Sequence, residues 1–191
     1  MARDVFLRTF FAVELADAAR RAAAELAARL ADEAGGDAVR WVRPEAYHVT
    51  LRFLGATPVA RLGELVASVQ RASAGLPPLE LRLGALGGLP NARRARVVVI
   101  EVEPREPLAG LAAAVERGVV ATGCAREERP FHAHLTLGRV HSGRRAPLLR
   151  GRCEATPFAV DSFVLFRSDP GPGGARYTPL ERIALEGRSS P

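Results

Sequence analysis

His48-Val49-Thr50-Leu51 and His134-Leu135-Thr136-Leu137 are two copies of one tetrapeptide, H-x-T-L, one late in each half of a 191-residue chain. Side chains alternate along a strand, so in each copy His and Thr share one face and the two aliphatics share the other. The aliphatics anchor the strand in a core, which leaves an imidazole and a hydroxyl for an open surface. A single H-x-T on a strand means little. Two matching copies among only four histidines imply two similar halves, and a pseudo-two-fold relation would turn both polar faces into one cleft.

The flanking sequence supports that division. Leu7–Val13 is a short aromatic and β-branched run, a buried strand. From Asp17 the spacing of Ala19, Ala22, Ala23, Leu26, Ala27 and Leu30 predicts a helix closed by Gly35-Gly36. Val39–Val42 and Tyr47–Phe53 read as strands, and Pro58 opens a helix to about Ser73. The second half follows with strands over Leu79–Leu83 and Arg96–Val102, then a helix from Pro107 closed by Gly123. A strand over His134–Val140, a charged loop from His141 to Pro157, a long strand Phe158–Phe166, a Pro/Gly loop from Asp169 to Gly174 and a last strand Arg176–Leu185 complete it. The expected fold is α+β: two pseudo-symmetric lobes of antiparallel sheet, helices outside and a central cleft. Residues 1–186 form one bilobal domain in this reading, and 187–191 a flexible tail.

Apolar residues make up 48% and charged residues 25%, ordinary for a soluble globular chain. The opening Met1–Leu7 carries an acid before its apolar run and lacks a small-residue cleavage site, so it does not read as a signal peptide. No stretch approaches the roughly 18 apolar residues of a membrane span. Cys124 and Cys153 are isolated thiols without a disulfide framework. The expected compartment is the cytoplasm, with no membrane partner, and the chain is read as a monomer. Net charge is +6 and every basic side chain is arginine; the charge suits a polyanionic partner, and codon bias explains it equally well.

Paired imidazoles suit chemistry in which one proton is removed and another supplied, because a histidine pKa of about 6.5 allows either role near neutrality. Paired threonine hydroxyls suit the non-bridging oxygens of a phosphoryl group.

Around the two motifs the chain resembles the two-histidine phosphoesterase superfamily, and within it the RNA 2′,3′-cyclic phosphodiesterases once described as 2′-5′ RNA ligases. The opening R-x-F-x-A-x-x-L is matched by Arg8–Leu15. The stretch R-W-V-x-P-E-x-x-H-x-T-L-x-F-L-G is matched by Arg40–Gly55, and R-P-F-x-P-H-x-T-L-x-R by Arg129–Arg139. L-F-x-S before a Gly-rich turn and a Tyr recurs as Leu165–Ser168 and Tyr177. The chain departs at Ala133, where the family has Pro, and at Gly87-Gly88-Leu89-Pro90, where it often has Phe-Pro.

The resemblance implies a cofactor-free, metal-free hydrolase that opens an RNA 2′,3′-cyclic phosphate to a 2′-phosphomonoester. In it His48 and His134 are the acid/base pair, and Thr50, Thr136 and Arg139 bind phosphate. Strict alternation points Arg139 away from His134, so a bulge at Gly138 is expected to re-aim it. Arg52 and His132, in phase with the two histidines, are candidate cleft residues. Tyr47 and Phe131 are candidate base contacts, while Phe53 reads mainly as core. Other readings are a different cyclic or 2′-5′ nucleotide substrate or the reverse ligation, a non-catalytic RNA-binding module, and a metallohydrolase. The last lacks an acidic or thiol ligand set at suitable spacing.

Overall fold

The computed structural model describes residues 5–34, 38–172 and 174–187. The expected Gly35-Gly36 helix stop, Gly173 of the Pro/Gly loop and residues 188–191 of the expected tail lie outside them. Gly187 is held, since its N–H donates to the Leu76 carbonyl at 3.1 Å.

Nine strands and three α-helices make up the described chain, in the order β1 (Phe6–Glu14), α1 (Asp17–Ala34), β2 (Val39–Trp41), β3 (His48–Pro58), α2 (Leu62–Ser73), β4 (Leu79–Leu89), β5 (Val97–Glu103), α3 (Arg105–Ala121), β6 (His134–Val140), β7 (Phe158–Val160), β8 (Ser162–Asp169) and β9 (Arg176–Ala184). Helix α1 forms because Ala19, Ala23, Leu26, Ala27 and Leu30 make one buried stripe and Asp17 meets the positive end of the helix dipole. Helix α3 starts two residues before Pro107. A proline in the first turn lacks only an N–H that has no intrahelical acceptor there, so it does not mark the first helical residue. Helices α2 and α3 touch closely at Gly118, where a Cβ would lie 2.6 Å from the Val69 Cα. The Ser68 hydroxyl donates to the Gly118 carbonyl across the same contact.

The strands follow the order β7-β4-β5-β6-β3-β1-β8-β9, with β2 paired to β6 beside this path. The sequential pairs are antiparallel, and the two halves of the path meet where β3 and β6 pair at Val49 and Leu135. The long strand expected over Phe158–Phe166 is divided at Asp161: Phe158 and Val160 pair with β4, while β8 pairs with β1. The polar pair Asp161-Ser162 interrupts the apolar run at the break, and a continuous buried run, Phe163–Phe166, follows it.

One sheet face is covered by helices. Helix α1 packs beside β4, α3 beside β3 and α2 against α3, so each half of the sheet receives a helix from the other half of the chain. Their apolar stripes and the inward strand residues, among them Phe11, Val49, Leu51, Leu135 and Leu137, form one core. A smaller cluster of Phe10, Ala12, Val164 and Phe166, with Tyr177 against it, lies on the opposite, open face. No described helix is long and apolar enough to cross a membrane.

Candidate active site

The Val49–Leu135 pair fixes the relation of the two motifs. In an antiparallel ladder the residues flanking a pair are themselves opposite one another, so His48 faces Thr136 and Thr50 faces His134. Both imidazoles and both hydroxyls therefore stand side by side on the open face, over the central strands of one sheet. Val49 and Leu135 are fully buried on the other face.

The two rings are held alike. His48 Nδ1 donates to the Ala46 carbonyl at 2.8 Å, and His134 Nδ1 donates to the His132 carbonyl at 2.7 Å. With Nδ1 carrying the hydrogen, each neutral ring presents Nε2 as its free base. The Thr50 hydroxyl donates to His48 Nε2 at 3.1 Å. The His48 ring lies 4.9 Å from the Phe10 ring and 4.9 Å from the Tyr177 ring, both centroid to centroid. His132 keeps its ring 5.3 Å from that of His134.

Each motif also bends its strand at the same place. Along β1 the partners run from Arg52, opposite Phe11, to Thr50, opposite Ala12, leaving Leu51 as an extra residue. Along β5 they run from Gly138, opposite Val98, to Thr136, opposite Val99, leaving Leu137 extra. A one-residue bulge reverses the facing of the residues beyond it. The fifth residue after each histidine is consequently turned to the open face: Phe53 in one half, Arg139 in the other. Arg139 thus reaches the face expected for it. Gly138 permits this because β2 crosses so near that a Cβ there would meet Val39 Cγ1 at 2.5 Å.

The bulge at Leu51 overturns two expectations. Arg52 is aimed not into the cleft but to the helix side, and Phe53, expected in the core, is on the open face, 53% exposed with its ring 5.7 Å from Phe10. Tyr47 is 3% exposed within the main core, and Phe131 packs against the same core, so Tyr47 has no free face for a base. Burial, with Glu45 and Cys153 nearby, pushes the Tyr47 hydroxyl up to about 12. Tyr177, noted in the sequence only for its place after a Gly-rich turn, joins the site by packing on His48.

Burial and the neighbouring His134 push His48 down from 6.5 to about 4, against the opposing pull of the Ala46 carbonyl. Burial lowers His134 as well, opposed by its bond to the His132 carbonyl and reinforced by His132 and Arg139. A histidine whose folded value lies below its unfolded one resists protonation in the fold. Its contribution to stability is whole above about pH 6.5 and is lost as pH falls towards the folded value. For His48 the loss by pH 4 is on the order of 3 kcal/mol. His48→Gln is expected to shrink the drop in melting temperature between pH 7 and pH 4.5; an unchanged drop shows that another group sets the acid limit.

Arg52 ties the halves together from behind. Its Nε donates to Glu116 of α3, and its terminal nitrogens donate to the Phe53 carbonyl and to the Ala125 carbonyl, with Glu127 3.6 Å away. The other Glu116 oxygen accepts the Glu127 N–H at 2.8 Å. The bulge after the first motif is thereby joined to the loop leading into the second. Arg52 borders a cavity of about 560 Å³, lined also by Leu54, Thr57, Leu65 and Thr122, which includes neither catalytic candidate histidine. Arg52→Met leaves the partly buried Glu116 carboxylate without its cationic partner, while Glu127 keeps Arg129, and is expected to cost about 1–3 kcal/mol in a denaturant titration. Adding Glu116→Gln should cost less than the sum of the two single changes, because one network is being broken twice.

Among the described residues no three His, Cys, Asp or Glu side chains are grouped to hold a metal ion.

Several known proteins are similar to this chain over nearly its whole length. A Methanothermobacter thermautotrophicus protein named RNA 2′,3′-cyclic phosphodiesterase is 30% identical over 94% of this chain and 99% of its own. A Thermus thermophilus protein of the same name is 33% identical over 95% of this chain and 91% of its own. A crystal structure from Thermus thermophilus superposes with a TM-score of 0.82 at 30% identity, covering 95% of this chain and 100% of that one. Escherichia coli LigT complexed with 3′-AMP superposes with a TM-score of 0.76 at 30% identity, over 95% and 99%. The sequence pattern of one family matches residues 13–99 and 100–177, so that the motifs, the sheet order and these likenesses agree: the chain belongs to the LigT like phosphoesterase family.

Proposed function

We propose that the protein hydrolyses the 2′,3′-cyclic phosphate at an RNA end to a 2′-phosphomonoester, with His48 and His134 as its acid/base pair. One imidazole takes a proton from water through Nε2 as the water oxygen bonds to phosphorus. The P–O3′ bond breaks, and the second imidazole gives its Nε2 proton to the departing O3′. The product carries a 2′-phosphate and a free 3′-hydroxyl. Thr50, Thr136 and Arg139 hold the non-bridging oxygens, where charge rises in the transition state. A metal is not needed in this scheme, because proton transfer and charge stabilisation both come from side chains.

The observation that carries the reading is the paired Nε2 atoms, each set by an Nδ1 bond to a carbonyl, standing with two hydroxyls over the Val49–Leu135 pair. Burial favours both rings neutral at rest. An entering phosphate anion favours the protonated form of one of them, which supplies the acid only when substrate is present. The names of the relatives and the 3′-AMP held by Escherichia coli LigT support the choice of ribose phosphate as substrate. The protein acts as a cytoplasmic monomer, where Cys124 and Cys153 stay reduced.

The test is a product assay on an oligoribonucleotide ending in a 2′,3′-cyclic phosphate, with chelator present and phosphate position resolved by 31P NMR. A 2′-monoester is expected. An unaltered cyclic end, or a 3′-monoester, rejects the proposal.

A further inference from the structure

The open face does not end at the histidines. Strand β1 pairs without an extra residue of its own, so Phe6, Arg8, Phe10, Ala12 and Glu14 lie on one side, and that side carries His48 through the Phe10 contact. Phe10 is buried beneath its neighbours, but Phe6 is 54% exposed and Phe53 53%. These are the two exposed phenylalanines among the described residues, and both lie on the side that bears the site. Arg8 stands between Phe6 and Phe10, exposed, opposite Ala56 of β3, and among the described residues it makes no ion pair.

We propose that this strip is a track for single-stranded RNA 5′ of the cyclic phosphate, in which Phe53 stacks on the terminal base, Arg8 meets a backbone phosphate and Phe6 stacks on a base further upstream. The inference rests on the function proposed above. A cyclic phosphate occupies the 3′ end, so an RNA seated on the two histidines has only its 5′ side left to extend. Four strand residues separate Phe10 from Phe6, about 13 Å at ~3.3 Å each. That exceeds the ~3.4 Å rise of one stacked nucleotide, so Phe6 lies beyond the reach of the terminal base. Aromatic rings alternating with a cation are what an unpaired strand binds: the rings accept any base and the guanidinium neutralises phosphate. A track of this kind favours oligonucleotides over free cyclic mononucleotides without demanding a sequence.

The test compares kcat/KM for a cyclic mononucleotide and for a hexanucleotide ending in a 2′,3′-cyclic phosphate, at two salt concentrations. The hexamer is expected to be preferred by tenfold or more. Phe6→Ala should raise the hexamer KM about tenfold, and Arg8→Gln should flatten the salt dependence of hexamer binding, with both effects confined to the longer substrate. Both side chains are exposed, and melting temperatures check that the variants fold. Binding of a 5′-fluorescein hexamer with a 2′-phosphate end, read by anisotropy, gives the same comparison without turnover. Equal kcat/KM for both lengths, or anisotropy unmoved by Phe6→Ala, overturns the track and leaves the Val5, Phe6 and Val59 end to a protein partner. Hexamer binding that responds to both variants without turnover of any cyclic end upholds the track and rejects the proposed reaction instead.

Discussion

His134→Ala and His48→Ala are each expected to lower kcat on a cyclic-phosphate RNA by about 10²–10⁴-fold, the usual worth of one positioned proton-transfer group. The double variant should fall little below the poorer single one. Removal of a proton from water and delivery of a proton to O3′ belong to one displacement, so losing either partner already forfeits most of what the pair supplies. KM should change much less, because threonines and Arg139 remain to hold the phosphate. The fold should survive, since neither ring is a packing element of the main core, and His48→Ala should unfold no sooner than the parent at acid pH. Single-turnover measurements on all three variants decide the matter. Activity within tenfold of the parent in either single variant removes that histidine from the chemistry.

Arg139→Ala is expected to lower kcat by about 10²–10³-fold, the range for losing one donor aimed at developing charge. Arg139→Lys should recover part of this, because an ammonium restores the charge without the planar fork that binds two oxygens at once. Gly138→Val probes the same function from the backbone. The added atoms would meet Val39 and Trp41 of β2, so the bulge must open or β2 must retreat, and the facing of Arg139 goes with it. A loss of stability of about 1–3 kcal/mol is expected from the overpacking, together with a fall in kcat larger than instability explains at a temperature where the variant is folded. Should Arg139→Ala keep the parent kcat, the second bulge has a structural purpose only.

The two bulges also mark where sequence reading works and where it stops. Gly138 announces its bulge, because a glycine inside a strand is a known place for a bend or a close approach, and with that bend Arg139 takes the face the sequence assigns it. Leu51 produces the same bulge with no such sign. Its side chain is as apolar as the alternation requires, so alternation gives Arg52 the face that Phe53 holds. Tyr47 could be read as cleft or core from its type, and its place just before β3, on the core side of the chain next to His48, buries it. The break at Asp161 has a local sign in the polar pair Asp161-Ser162, but the change of hydrogen-bonding partner there from β4 to β1 is a tertiary matter.

What the amino-acid sequence determined by itself was most of the elements and the repeated motif, because strand and helix periods and the H-x-T-L tetrapeptide are local. It also determined which side of each motif is polar, since alternation over four residues leaves no other arrangement. The tertiary structure alone decided that the two motifs are neighbours in one sheet, joined at Val49 and Leu135, and that β3 gains a residue just after Thr50. Those outcomes depend on how β3 and β6 register against β1, β5 and each other. Register is settled by hydrogen bonds between residues far apart in the chain, and a one-residue slip moves every later side chain to the other face.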